Sequence, residues 1–292
     1  MLPLSSLSRA AALSAFRGGS SALRVRPGVV RQRLPCAARA AVGLATLQDA
    51  AALLAYQART PTPISIEQML TMSSQKGQRL AQAQLLQEEL KVRLAHQCGY
   101  LETLRSGLAD TAGVQQNLLQ YEGFFKQINE LPPPKSPEDD ARFVALLRGV
   151  KKKDSSTLPT VARGIKEWRQ RWGYHLDREV AAQLDVLLTA RLSIRMLIGQ
   201  HVESVHTPTG RITRGLSVKE VTEEAIRRSS RLCLAHFGMV PDVVLEGSTG
   251  LEFTYVRSHL HHIIFELLKV SRATSLPRRC HVTCTLSSRR AA

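Results

Sequence analysis

The stretch from Arg178 to His206, REVAAQLDVLLTARLSIRMLIGQHVESVH, decides the fold. Its apolar residues recur every three or four positions, the spacing that places side chains on one face of an α-helix: Val180, Leu184, Leu187, Leu188, Ile194 and Leu197. No proline interrupts this pattern, and Asp177, which precedes it, is a favoured N-cap residue. We therefore predict one long amphipathic helix that needs partner helices to cover its apolar face.

Candidate partner helices precede this stretch in the chain. A short helix is predicted over residues 47–56, and Ser65 with Gln68 has the spacing of a capping box that starts another. Apolar residues at helical spacing then predict long helices over 79–106 and 114–128.

Two further helices complete the predicted bundle. Ser136, followed by a proline and two acids, is a strong N-cap signal for a helix to Val150, and Pro159 begins the next helix. The lysines 151–153 between them are predicted to form a solvated loop; the alternative is a contact with an acidic partner. Long helices joined by short polar turns predict a four-helix-type bundle over residues 46–210.

The pattern changes after residue 210. Ser217 and Glu220 have capping-box spacing and predict another helix. Strand-like runs at 242–246 and 251–256 are separated by a glycine-rich turn, which predicts a hairpin. We therefore predict a mostly α protein in which residues 211–270 form the first part of an α+β domain.

The net charge of +16 is concentrated at the two ends of the chain. Residues 1–45 contain seven arginines and residues 271–292 contain five, with no acid in either segment, which leaves +4 for the residues between. The Arg-, Ser- and Ala-rich composition of 1–45 predicts a disordered mitochondrial transit peptide. The alternative is a basic arm that binds nucleic acid, but Phe16 is the single aromatic residue among its arginines and no nucleic-acid-binding motif accompanies them.

The cysteines do not have the spacing of a disulfide framework. Cys280, His281 and Cys284 form a small cluster, but no second pair of ligands accompanies them, and we predict no structural metal. No apolar run approaches the roughly 18 residues that a membrane-spanning helix needs.

One helix near the C-terminus carries candidate chemistry. Ser258 is predicted to cap it, and its apolar residues are predicted to face a core: Leu260, Ile263, Ile264, Leu267 and Leu268. His262 and Glu266 lie one turn apart on the remaining face, where the carboxylate can act as a general base whose pKa the imidazole adjusts. The alternative is that both are ordinary polar residues of an exposed helix face, and their spacing identifies no enzyme.

Several segments resemble one family, the mitochondrial protein kinases that act on pyruvate and branched-chain α-keto acid dehydrogenases. The segment SHLHHIIFELLK at 258–269 looks like the N-box helix of that family, and RLSIRMLIGQH at 191–201 is similar to its last bundle helix. Further similarities lie in the family's entry segment and first long helix, at Tyr56, Pro61, Thr62 and Pro63 and at Leu94, Ala95 and His96. The resemblance covers about residues 47–269.

The resemblance implies a fold, an activity and partners. The family joins a helical bundle to an ATPase domain of the histidine-kinase type, and it phosphorylates serine on the dehydrogenase in the mitochondrial matrix, using ATP and Mg²⁺. Glu266 would then be the general base that accepts the serine proton, and His262 would adjust it. The implied partners are the lipoyl domain and the dehydrogenase component, with a homodimer implied by the family, and the segment 258–266 favours the pyruvate type.

The sequence departs from the family after Lys269. The family places a Mg²⁺-ligating asparagine where this chain has Val270, which offers no oxygen, and Arg272-Ala273-Thr274 arrives one residue early. We therefore predict a lost metal ligand and a basic tail over 271–292 that is foreign to the family. The hypothesis is a truncated or mis-spliced C-terminus, because Val270-Ser271 can be encoded by a splice-donor sequence; the alternative is a one-codon deletion.

These observations leave three functional hypotheses. The first is a protein-serine kinase that inactivates an α-keto acid dehydrogenase complex, with this chain catalytically incomplete. The second is a non-catalytic module that binds lipoyl domains. The third, a basic nucleic-acid-binding protein, depends on the arginine-rich N-terminal segment being retained.

Overall fold

The computed structural model describes residues 47–74, 78–105, 107–173, 178–207, 209–248, 250–275 and 282–286. The first part of this region is helical throughout, which confirms the predicted bundle. Its helices are α1 (Leu47–Gln57), α2 (Ile66–Ser74), α3 (Arg79–Glu102), α4 (Ala112–Glu130), α5 (Pro137–Lys153), α6 (Thr157–Trp172) and α7 (Arg178–Glu203).

Side-chain caps fix two helix starts where the sequence predicts them. The hydroxyl of Ser65 accepts a hydrogen bond from the amide of Gln68 at 3.1 Å, and the Gln68 side chain accepts one from the Ser65 amide at 2.7 Å. Ser136 and Asp139 form the same reciprocal capping box at the start of α5. Each box satisfies two amides that the first helical turn leaves without intrahelical partners.

The loop predicted at residues 151–153 is wrong, because these lysines form the last turn of α5. Positive charge is favourable beside the carbonyl end of a helix, so a lysine run is compatible with helix here. A single 3₁₀ turn, Asp154–Ser156, connects α5 to α6, which begins two residues before Pro159.

The bundle encloses one hydrophobic core, with α3 packed against α1, α4 and α7. Its largest fully buried side chains are Trp168, Tyr121, Phe124, Phe125 and Phe143. Helices α4 and α6 cross closely at Gly113, where a Cβ atom would lie 2.3 Å from the carbonyl oxygen of Thr160. No residue larger than glycine fits that crossing without a backbone shift.

The chain continues into a smaller α+β part, as predicted. Its elements are β1 (Ile212–Ser217), α8 (Val218–Phe237), β2 (Val243–Gly247), β3 (Glu252–Val256), α9 (Arg257–Ser275) and β4 (Val282–Leu286). The hydroxyl of Ser217 accepts a hydrogen bond from the Glu220 amide, which confirms the predicted cap of α8. Helices α8 and α9 pack together around a second, smaller hydrophobic cluster.

The predicted hairpin is wrong, because β2 and β3 do not pair with each other. Strand β3 pairs antiparallel with β1, and β2 pairs in parallel with β4. The sequence did not predict β1, because Gly215 has a φ of 59° and the register with β3 shifts between Thr213 and Leu216, which breaks the alternation typical of a strand. Strand β4 also was not predicted; it lies in the segment 271–292, which was predicted to be a basic tail foreign to the family.

Helix α9 begins at Arg257, directly after β3, so the predicted cap at Ser258 is wrong. The Ser258 hydroxyl instead accepts a hydrogen bond from the Arg211 side chain at 3.0 Å. The predicted transit peptide, the predicted cap at Asp177 and most of the predicted tail lie outside the described residues, and the proposed domain boundaries remain predictions. None of the helices in the described ranges combines the length and apolarity that a membrane span requires.

Candidate functional site

Within the described part of the chain, helix α9 packs chiefly against α8. Leu268 is buried with Ala225 of α8, and Ile264 and Phe265 pack against this pair. The predicted apolar stripe does not face a core as a whole, because Ile263 and Leu267 are 50% and 55% exposed. The apolar residues of α9 occupy a wider arc of the helix surface than the described neighbouring elements cover, so some of them are exposed.

Glu266 is accessible at the boundary of this packed side. Its side chain is 42% exposed, and its carboxylate forms an ion pair with Lys269, one turn later on the same helix. The Lys269 ammonium also lies 5.8 Å from the centre of the Phe265 ring, on the packed side of the helix. The structure therefore holds a solvent-accessible carboxylate beside a cation.

His262 lies on the exposed surface one turn before Glu266. Among the described residues, no hydrogen bond or ion pair joins it to Glu266, whose charged neighbour is Lys269 instead. Lys269 had no predicted role at the site, although a glutamate three residues before a lysine is a recognised helical ion-pair spacing. Tuning of Glu266 by His262 remains a prediction.

The histidine that enters the packed side of α9 is His261. Its ring stacks on Phe265 at 6.2 Å, and its Nε2 atom lies 4.0 Å from the Glu224 carboxylate of α8. Arg257 donates a hydrogen bond of 2.9 Å to Glu224, and this bond lowers the pKa of the Glu224 carboxyl. Sequence reasoning missed this group because it joins residues on two helices.

A third histidine, His259, lies near the bundle. Its pKa is lowered, first because burial disfavours the imidazolium ion, and then because Arg211, Arg195 and His262 add positive charge nearby. Burial and the neighbouring positive charge therefore disfavour the protonated form of His259 at the start of α9.

The position predicted to have lost a metal ligand is also exposed. Val270 is 42% exposed, one turn beyond Glu266. No group of three or more His, Cys, Asp or Glu side chains in the described ranges is arranged to hold a metal ion. Because Mg²⁺ binds through several oxygen ligands and Val270 supplies none, the described side chains around Glu266 do not fit this ion.

The arginines of α7 meet a buried carboxylate within the bundle. Asp154 accepts hydrogen bonds from Arg191 Nη2 at 2.8 Å, from Arg195 Nη1 at 2.5 Å and from the Tyr121 hydroxyl at 2.6 Å. Burial and the negative charge of Asp154 raise the pKa of Tyr121 well above its ordinary value, so the phenol stays protonated. The arginines of α7 therefore hold the turn between α5 and α6.

Residues 63–222 match the family described as mitochondrial branched-chain alpha-ketoacid dehydrogenase kinase. The chain is 31% identical over 218 residues to the mitochondrial pyruvate dehydrogenase (acetyl-transferring) kinase of Arabidopsis thaliana, covering 72% of this chain and 59% of that protein. It is 29% identical over 239 residues to isozyme 3 of Homo sapiens, covering 75% and 59% respectively. For isozyme 1 of Rattus norvegicus the identity is 30% over 289 residues, covering 89% and 64%. The chain thus spans about three fifths of the length of these relatives.

Proposed function

The chain belongs to the family of mitochondrial branched-chain α-ketoacid dehydrogenase kinases and pyruvate dehydrogenase kinases, and from this membership we propose that it acts on a mitochondrial α-keto acid dehydrogenase complex. The proposed activity is that of a protein-serine kinase of the matrix that inactivates the complex, with phosphoryl transfer impaired in this chain. The pyruvate complex is the favoured substrate, because the relatives with the matches given above are named pyruvate dehydrogenase kinases.

The accessible carboxylate of Glu266 carries this proposal. A general base must reach the proton that it accepts, and Glu266 is 42% exposed on a helix anchored by Leu268 and Ala225. We assign Glu266 the role of accepting the proton of the substrate serine. Lys269 orients the carboxylate through their ion pair, and the proposed role of His262, one turn earlier on the helix, is to adjust this base.

Val270 is the reason to propose impaired transfer. Phosphoryl transfer depends on positioning the nucleotide and on neutralising the charge that develops on its phosphates, the chemistry that Mg²⁺ supplies when bound. Valine contributes no oxygen ligand at the family's asparagine position. The proposal therefore predicts weak binding of ATP in the presence of Mg²⁺.

Isothermal titration of the purified chain with ATP and Mg²⁺ tests this step. We expect Val270→Asn to tighten nucleotide binding by about tenfold or more, since it restores an oxygen ligand. Val205→Asn is the matched control, because Val205 is a comparably exposed valine, at 46%, outside α9. Saturable micromolar binding by the unsubstituted chain would contradict the proposed impairment.

Phosphorylation of the dehydrogenase component by the Val270→Asn protein then tests the base. Adding Glu266→Gln should abolish the phosphate transfer that Val270→Asn permits, because the amide cannot accept the serine proton. Equal rates with glutamate and glutamine at this position would remove Glu266 from the proposed mechanism.

A second candidate function is a lipoyl-domain-binding module without catalysis. This function is favoured by the division of the buried apolar residues into two clusters. The main cluster runs through the bundle, and the cluster between α8 and α9 is separate from it. The bundle can thus present a docking surface without a working nucleotide site. The module hypothesis predicts binding of an isolated lipoylated domain in the absence of ATP, and equal binding of the unlipoylated domain would contradict it.

A further inference from the structure

The outer face of α6 carries cations that have no acidic partners. Four exposed side chains form what we call the cationic face: Arg163, Lys166, Arg169 and Arg171. Within the described ranges none of the four forms an ion pair, and Arg163 instead donates a hydrogen bond of 2.7 Å to the neutral side chain of Gln116. Surface cations without counter-charges create a positive field that attracts anionic surfaces.

The carboxylates closest in sequence to the cationic face are used inside the protein. Glu167, the single acid of α6, accepts a hydrogen bond from the Ala112 amide at the start of α4, 3.3 Å away. Asp154, just before α6, is buried and paired with Arg191 and Arg195. The positive charge of the cationic face is therefore not neutralised within the described part of the chain.

Helix α8 has the same number of lysines and arginines but a different balance of charge. Its four cations are accompanied by three glutamates, and Lys219 forms an ion pair with Glu223 at 3.9 Å. The excess of positive charge is thus one on α8 and three on α6. Among these two helices, α6 is the stronger attractor of a negatively charged surface.

An apolar strip borders the cationic face along the length of α6. Leu158, Ile165 and Trp172 are spaced by seven residues, which returns to the same side of an α-helix. Leu158 and Trp172 are 46% and 51% exposed, and the helical rise places them about 21 Å apart. The Arg171 guanidinium lies 5.8 Å from the centre of the Trp172 ring, so charge and apolar surface are adjacent.

We propose that this side of α6 is a docking surface for a bilayer that contains anionic phospholipids. The lipid phosphates attract the cationic face, and Trp172 and Leu158 enter the boundary between headgroups and acyl chains, where tryptophan is favoured. A soluble acidic polymer supplies negative charge but no apolar layer for two widely separated side chains. The surface is independent of the proposed phosphoryl-transfer function, because it shares none of the residues assigned to that function.

Co-sedimentation of the full chain with vesicles tests the charge contribution. We expect binding to vesicles of equal parts phosphatidylcholine and phosphatidylglycerol, and none to phosphatidylcholine alone. Lys166→Gln with Arg169→Gln should weaken binding about 25-fold, since each cation near an anionic surface contributes about fivefold.

The matched control is Arg227→Gln with Arg231→Gln, which removes two exposed cations of α8 and should change binding less than about twofold. Every variant retains the seven arginines of residues 1–45, so any binding by that segment is common to all of them. Absence of binding to the anionic vesicles, or equal binding by the two double variants, would overturn the proposal.

Tryptophan fluorescence tests the apolar contact. The chain has two tryptophans, of which Trp168 is fully buried and Trp172 is exposed. Anionic vesicles should therefore shift the emission of Trp172 to shorter wavelength, and Trp172→Phe should remove the shift. If the vesicles produce no shift, or if polyglutamate or duplex RNA produces an equal one, the surface does not dock to a bilayer and the proposal fails.

Discussion

Replacement of Asp154 by alanine should destabilise the bundle by about 3–5 kcal/mol, the typical cost of removing one partner from a buried ion pair. The Asp154 side chain is 6% exposed and the Arg191 side chain 11%, so the substitution leaves a buried guanidinium without its carboxylate. The Tyr121 hydroxyl also loses the acceptor that lies 2.6 Å away. These losses share one site and do not add, so the total stays within that range.

Urea denaturation followed by far-UV circular dichroism measures the loss. The control is Glu203→Ala, which breaks a partly exposed ion pair with Lys151 at 3.6 Å and should cost less than about 1 kcal/mol. A double variant, Asp154→Ala with Arg191→Met, should recover part of the loss because it removes the uncompensated charge. If Asp154→Ala costs no more than the control, or if the double variant is less stable than Asp154→Ala alone, the reasoning about this cluster is refuted.

Three further predictions use the same assay. Gly113→Ala should destabilise the protein by about 1–3 kcal/mol because its Cβ would meet the Thr160 carbonyl at 2.3 Å. The control is Gly123→Ala, which lies in open space within α4 and should stabilise the protein by about 0.5–1 kcal/mol. Equal effects of the two substitutions would refute the argument. Ser136→Ala should cost about 1 kcal/mol through loss of the α5 cap, and an unchanged midpoint would contradict this. Burial opposes ionisation of Asp140, but the hydrogen bonds from a histidine and an arginine outweigh it and hold the pKa of the carboxyl below its ordinary value. The ionised Asp140 therefore contributes its full stabilisation above the unfolded-state pKa of about 3.9, and this stabilisation is lost as the pH falls toward the lower pKa of the folded state. Asp140→Asn should accordingly flatten the pH dependence of the free energy of unfolding below about pH 4.

Local signals in the sequence were sufficient to predict much of the helical part. The caps at Ser65 and Ser136 act within four residues, and the apolar period of α7 extends over many turns, so neither depends on distant contacts. The loop at 151–153 was predicted wrongly because a lysine run has the same composition in a solvated turn and at a helix C-terminus.

The sheet and the site depend on partners distant in sequence. Strand β3 was expected to pair with its neighbour β2, but it pairs with β1, some forty residues earlier, and no local pattern contains that choice. Periodicity identified the apolar residues of α9 correctly, but how many of them are buried depends on the surface that α8 provides. Ile263 and Leu267 were predicted to face a core, but they lie beyond that surface and are exposed. The contact between Asp154 and Arg191 spans 37 positions and likewise requires the folded bundle.

The parallel pairing of β2 with β4 has a consequence for the order of folding. Val243 of β2 pairs with Val282 of β4, and strand β3 and helix α9 lie between these two residues in the chain. The intervening elements must therefore form or collapse before β2 and β4 can meet. Each hydrogen-bonded turn of α3, in contrast, closes over only a few residues. The backbone amides of β4 should accordingly gain protection from solvent exchange last during refolding and lose it first under mild denaturant, well before those of α3.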